Sequence, residues 1–304
     1  MNKIVGIGAN VYDTLIKLKS YPKEDTKMRC EGVKMSGGGP CATGIVAAGK
    51  LGAKCAFIGN IADDNGGNFL KGDFERFGVS TKLCKIKTGY ASFSSYIWLA
   101  GDKTTRTIVF DKGNLPPTEL DETAKKAIAE SQVLMVDGND LDAAIAGAKI
   151  AKENGTKVLY DVGGLYDGIE RLLPYADILI PSEEFALGYT GAETAEEAAK
   201  ILFDKYNPEV VVITQGKNGG VLFDGKEIRN YPILPADVVD SNGAGDVFHG
   251  AFAFAITKGY DAYKSCIFSS AVSALKCTKV GARDAVPTYD ETIAFLKECG
   301  YNEF

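Results

Sequence analysis

Asp240-Ser241-Asn242-Gly243-Ala244-Gly245-Asp246 sets two carboxylates around a run of small residues. The apolar stretch 250–256 that follows reads as a buried helix. Small residues let a backbone approach a ligand closely and take up unusual dihedrals. A helix opening here directs unpaired N–H groups and its positive end at an anion. Asp246 falls in the first turn, beside whatever those amides hold. A proton acceptor next to a phosphate cradle is the layout that phosphoryl transfer requires. The same residues also spell a tight loop with an acidic helix start, which electrostatics alone favours.

Other short motifs carry competing readings. Gly37-Gly38-Gly39-Pro40 precedes a helical pattern at 43–51, and its backbone can donate N–H groups to a polyol or simply turn the chain. Gly44 to Leu51 nearly spells a P-loop but ends in leucine where a hydroxyl must reach magnesium, inside an apolar helix. Gly6-Ile7-Gly8 begins a dinucleotide fingerprint whose third glycine is replaced by Val11, which disfavours a nicotinamide oxidoreductase. His249 is the only histidine. A lone histidine at a helix start is more often a packed or hydrogen-bonded residue than a base.

These residues need a scaffold. Continuous apolar runs at 4–8, 54–58, 133–136, 157–160, 178–180, 210–214 and 221–223 predict strands covered on both faces. Helical patterns lie at 43–51, 69–77, 121–130, 141–153 and 194–203, then at 250–258, 263–278 and 290–299. The alternation predicts an α/β fold with a mostly parallel central sheet flanked by helices. Two stretches break it. Segments 91–99 and 105–110, joined through Gly101-Asp102, read as an antiparallel hairpin, and 11–18 with 28–36 looks similar. Insertions at about 11–36 and 90–110 are thus expected to build a small β-sheet lid on one domain spanning 1–304.

Composition narrows the function classes. The chain has 304 residues, 45% of them apolar, and a net charge of −6. That balance disfavours nucleic acid and anionic membranes as partners. Seven cysteines without a Cys-x-x-Cys pair predict reduced thiols and a cytoplasmic location. One histidine makes a zinc site improbable.

Residues 240–246 resemble the D-T-T-G-A-G-D signature of the ribokinase-like (PfkB) carbohydrate kinase family, with Ser241 and Asn242 in place of the two threonines. The run from Gly38 through Gly52 resembles the family's first signature, with Thr43 where asparagine is usual. The resemblance spans essentially the whole chain. It implies an ATP-dependent sugar kinase in which Asp246 is the general base. The amides of Asn242, Gly243, Ala244, Gly245 and Asp246 would form the anion hole. Asp13, Gly38, Gly39 and Thr43 would bind the sugar. Arg106, from its place on the expected lid hairpin, is read separately as a contact to substrate or phosphate, with a solvated surface arginine as the other reading.

On the nucleotide side the resemblance implies Ser182, Thr214, Gly216, Gly219, Asn242 and Ser270 as ligands of ATP. Ser182 and Phe185 stand where the family carries an Asn-x-x-Glu motif, so Glu183 or Glu184, Glu184 foremost, is expected to substitute in organising Mg2+, with Asp240 as a further metal ligand. Asp240 and the loop 276–285 also resemble a monovalent-cation site of some members, though Ala285 lacks the hydroxyl that others supply. The lid of related enzymes often forms a dimer surface, so a homodimer is expected. A nucleoside kinase of the same fold and a non-catalytic sugar-binding regulator are the alternatives.

Overall fold

The computed structural model describes residues 3–100 and 106–304. Strands β1 (Ile4–Ile7), β2 (Val11–Leu18) and β3 (Gly32–Gly38) lead into α1 (Pro40–Lys50). Then come β4 (Cys55–Ala62), α2 (Asn65–Arg76), β5 (Cys84–Lys87), β6 (Ser94–Ala100) and β7 (Arg106–Asp111). The middle of the chain alternates α3 (Glu122–Ala129), β8 (Val133–Val136), α4 (Leu141–Asn154), β9 (Lys157–Val162) and β10 (Ile178–Pro181). It continues with α5 (Glu183–Thr190), α6 (Ala195–Tyr206), β11 (Val210–Thr214), β12 (Gly220–Phe223) and β13 (Ile228–Tyr231). Helices α7 (Ala244–Thr257), α8 (Ala262–Cys277) and α9 (Tyr289–Glu298) close the sequence of elements.

Nine strands form one sheet in the order β13-β12-β11-β10-β9-β8-β1-β4-β5. It is parallel from β11 to β5, and β12 and β13 run antiparallel at one edge. Both faces are covered, which is why its strands read as unbroken apolar runs. Side chains alternate between two cores. Val133 and Met135 of β8 join residues of α1, α7 and α8, whereas Leu134 and Val136 join residues of α3, α4 and α6.

The chain leaves β1 for β4 on one side and returns to β8 on the other, which makes β1 the switch point of the sheet. Ligands of open α/β sheets bind outside the carboxyl ends of strands at such a point. Gly8, Asp137, Ser182 and Gln215, which directly follow β1, β8, β10 and β11, lie along this edge with Asp161 near the end of β9. Helices α1 and α7 back onto it. Their backbones touch: a Cβ at Gly250 would collide with the carbonyl of Gly44, so glycine is required for that approach.

A second, four-stranded sheet has the order β3-β2-β6-β7. β2 pairs antiparallel with β3 and parallel with β6, and β6 pairs antiparallel with β7. The expected appendage is therefore a mixed sheet, assembled from the two expected insertions. The Gly101-Asp102 turn lies outside the described residues. Helix α7 opens at Ala244 with Gly243 (φ +75°) as its cap, so Asp246 falls in its first turn. Helix α5 and strands β5 and β13 were not expected, being short segments without a clear apolar period.

Candidate active site

Asp246 is the third residue of α7 and remains partly exposed at its N-terminus. The N–H groups of Gly243, Gly245 and Asp246 have no partner among the described residues. They are the donors free to meet an anion. The amide of Asn242 donates to Asp240 Oδ1 at 2.8 Å, and that of Ala244 to the Ser241 carbonyl at 3.2 Å. The expected anion hole at 242–246 thus narrows to three amides, since the other two are spent on shaping the loop. Ser273 Oγ braces the turn by donating to the Ala244 carbonyl at 2.8 Å. Burial raises the Asp246 carboxyl, and His249 one turn later opposes that rise.

Across the cleft, Asp13 of β2 is buried and accepts a 2.6 Å hydrogen bond from Ser95 Oγ of β6. Desolvation pushes its carboxyl up to about 6, with Asp246 adding to the rise and Arg283 opposing it. Gly38 packs so tightly on Asp13 that a Cβ would overlap its carboxylate. Gly39, with φ +92°, caps α1. Arg106 is exposed on β7, and its charge acts on Asp246. Thr43 is a correction. It is fully buried in α1 and its hydroxyl is shut away without a partner among the described residues, because the helix is buried on every side from Cys41 to Ala48.

Three residues that the sequence reading passed over hold this constellation together. Arg283, 1% exposed, donates to Asp73 Oδ2 at 2.8 Å, Asn10 Oδ1 at 3.1 Å and the Gly38 carbonyl at 2.6 Å. Asp137 accepts from the amides of Ala9, Cys41 and Asn139 at 2.9, 3.0 and 2.9 Å, tying the end of β1 to the start of α1. Lys276, fully buried, donates to the Asp240 carbonyl at 2.7 Å. A carboxylate just past a strand end was a usable signal for Asp137. No local pattern announced the other two.

On the opposite flank, Ser182 caps α5 by accepting from the Phe185 amide at 3.2 Å, and it bridges to Thr214 at the end of β11. Phe185 is fully buried and stacks on Tyr189 at 5.2 Å, so an apolar residue there serves the core. The turn after β11 carries Gly216 (φ +55°) and Gly219 (φ +81°), and Gly216 faces open space. Ser270 is buried in α8.

The expected metal ligands do not converge. Glu184 is exposed, while Asp240 spends its two carboxylate oxygens on the amides of Asn242 and Gly281. Among the described residues no three His, Cys, Asp or Glu side chains group into a metal site. The protein's donors therefore do not fit a Mg2+ cage of their own, and the positive charge beside Asp240 is the ammonium of Lys276.

A cavity of about 440 Å³ opens beside Asn10 and is bordered by Asn60, Phe93, Lys112, Asn139 and Asp140. Neither Asp13 nor Asp246 lines it.

The raised Asp13 carboxyl has a stability consequence. A group whose folded value exceeds its unfolded value costs stability that grows as pH rises between the two, here from about 4 to about 6. Asp13→Asn removes that cost, so the variant is expected to be more stable than wild type at pH 7 by ~1–3 kcal/mol. The difference should vanish toward pH 4. Thermal melts at both pH values check this, and an equal or lower Tm for the variant at pH 7 refutes it.

Comparison with known proteins bears on this arrangement. The family model described as "pfkB family carbohydrate kinase" matches residues 1–289. A ribokinase from Haemophilus influenzae is 29% identical over 96% of this chain and 97% of its own. A 5-dehydro-2-deoxygluconokinase from Clostridium perfringens is 28% identical over 87% of this chain and 85% of its own. The structure of Arabidopsis thaliana ribokinase complexed with ribose and ATP superposes with a TM-score of 0.87 at 24% identity, covering 97% of this chain and 99% of that one. That last likeness is one of fold.

Proposed function

We propose, because this chain belongs to the pfkB family of carbohydrate kinases, that it transfers the γ-phosphoryl group of ATP to a primary hydroxyl of a monosaccharide with Asp246 as general base. One observation carries the reading. Two carboxylates, the buried Asp13 and the partly exposed Asp246, both raised by desolvation, stand near enough that the charge of Asp246 adds to the rise of Asp13, beside three unpaired amides at a helix N-terminus. That is an acceptor site facing an anion site.

Bound ATP supplies the phosphoryl group. Gly243, Gly245 and Asp246 amides stabilise charge on it, and the Thr214–Gly219 turn lies on the nucleotide flank. Asp13 accepts hydrogen bonds from the sugar. The attacking oxygen forms its bond to phosphorus as its proton passes to the Asp246 carboxylate, and the bond to ADP breaks. Arg106 and the small sheet would close over the cleft and exclude water, the competing acceptor. No step is assigned to Mg2+, which would arrive with the nucleotide phosphates and keep most of its waters.

The test is ADP release measured over a panel of ribose, fructose, other monosaccharides and adenosine. Turnover with a monosaccharide supports the proposal. Turnover with adenosine alone makes the protein a nucleoside kinase, and none with any acceptor makes it a binding regulator.

We further infer a homodimer through the small sheet, where Val33, Met35, Tyr96, Ile108, Val109 and Phe110 are exposed. Sedimentation equilibrium as a monomer would remove this. The seven cysteines are unpaired, which suits the proposed cytoplasmic setting. Among the described residues no helix is long and apolar enough to cross a membrane.

A further inference from the structure

His249 is buried in α7, one turn beyond Asp246, and is the only histidine of the chain. Its Nδ1 lies 2.6 Å from the Gly245 carbonyl oxygen, and its Nε2 lies 3.0 Å from that of Ile180. A carbonyl oxygen only accepts hydrogen bonds. A neutral imidazole has one N–H and one bare nitrogen. Either neutral tautomer would set a nitrogen lone pair against a carbonyl lone pair at hydrogen-bond distance. Both contacts are favourable only when both ring nitrogens carry hydrogen, which makes the ring a cation.

A buried cation requires a counter-charge. Asp161 of β9 supplies one. It is 3% exposed, and its Oδ2 lies 3.3 Å from His249 Nδ1. That oxygen accepts no hydrogen bond elsewhere among the described residues. An isolated carboxylate in that position would be costly, and beside an imidazolium it is accounted for. Burial raises the Asp161 carboxyl to about 7 even against the lowering pull of His249.

We propose that His249 is held as a buried imidazolium countered by Asp161, and that it is a positioning residue keeping the neighbouring Asp246 carboxylate ionised for its work as base. The positioning role rests on the general-base reading given above; the ion pair does not.

Asp161 touches His249, and the other charged and titratable groups that act on Asp161 or Asp246 come from several elements. Asp246 shares its helix, and Asp161 faces it from β9. Asp137 follows β8, and Cys41 comes from α1. Lys276 lies on α8, and Arg106 on β7. β10 contributes only the Ile180 carbonyl. Lys276 and Arg106 also act on Asp246, but neither sits within its own helical turn. His249 is the largest of the opposing charges on Asp246.

The full chain labelled with 15N in histidine gives one pair of ring nitrogens, read without any substrate. Both are expected in the protonated range from pH 6 to 8, and Asp161→Asn should bring the neutral ring into that window. A bare ring nitrogen in wild type at pH 6 overturns the ion pair. His249→Asn replaces the cation by a neutral amide of shorter reach. Its kcat/KM profile should show an acid limb moved up by about 1 pH unit, the shift expected on losing a close opposite charge. A lowered Tm with an unmoved acid limb makes His249 merely structural and overturns the positioning role. A wild-type profile with no acid limb overturns the base assignment and the positioning role together, while the ring signals still decide the ion pair.

Discussion

Asp246→Asn is expected to fold, to bind nucleotide and to lose about 10²–10⁴-fold in kcat, the range a positioned general base contributes. The amide matches the carboxylate in shape, and the α7 N–H groups at Gly243, Gly245 and Asp246 belong to the backbone, so the anion site survives. What disappears is the atom that takes the proton. Binding of ATP should tighten slightly, because a negative charge beside the phosphates is gone.

The stability sign is also fixed. Burial raises the Asp246 carboxyl above its unfolded value, so ionisation costs stability at neutral pH and the neutral amide relieves it. In wild type the rate should fall as pH drops through the raised value, and the variant should lack that limb. Single-turnover and steady-state ADP formation measure both. A variant within tenfold of wild-type kcat rules out Asp246 as the base.

The part of this site that could be read from the sequence is the part written locally. Gly243 to Asp246 announce themselves because small residues, a carboxylate and an apolar run stand together. The strands announce themselves because both faces are buried. Ser182 was legible in a different way, as a helix cap before Glu183 and Glu184; the resemblance read it instead as a ligand of ATP. Thr43 was placed against the sugar although a helical period cannot say which face meets the cleft.

The remainder depends on long-range closure. Arg283 meets Gly38 across 245 positions of sequence, and the Ala9 amide meets Asp137 across 128. Such pairs exist only once the switch point of the sheet has brought β1, β8 and the C-terminal loop to one edge. An arginine in a loop carries no mark of burial, since arginine is among the residues least often buried. His249 likewise reads as a packed residue until β9 and β10 place Asp161 and the Ile180 carbonyl on its two sides.

Arg283→Ala is expected to damage stability and acceptor binding together. The guanidinium is 1% exposed, pairs with the 3% exposed Asp73 and lies 5.2 Å from the centre of the Phe74 ring. Removing one partner of a buried ion pair typically costs 3–5 kcal/mol. Arg76 still holds Asp73 Oδ1 at 2.7 Å, which places the expected loss near the lower end, about 3 kcal/mol. The functional loss follows from the other two bonds. The Gly38 carbonyl and Asn10 Oδ1 lose their shared donor beside Asp13, and the Asp13 carboxyl loses the positive charge that restrains its rise. Asp13 would then be protonated at a higher pH, so the acceptor KM should rise about 10-fold or more at neutral pH and recover partly under alkaline conditions. Arg283→Lys should restore little, because one ammonium cannot reproduce a planar fork reaching three acceptors. Denaturant midpoints and acceptor KM against pH, measured on both variants, test the argument. An alanine variant with unchanged midpoint and KM would mean that the guanidinium holds neither the C-terminal loop nor the sugar-binding strand.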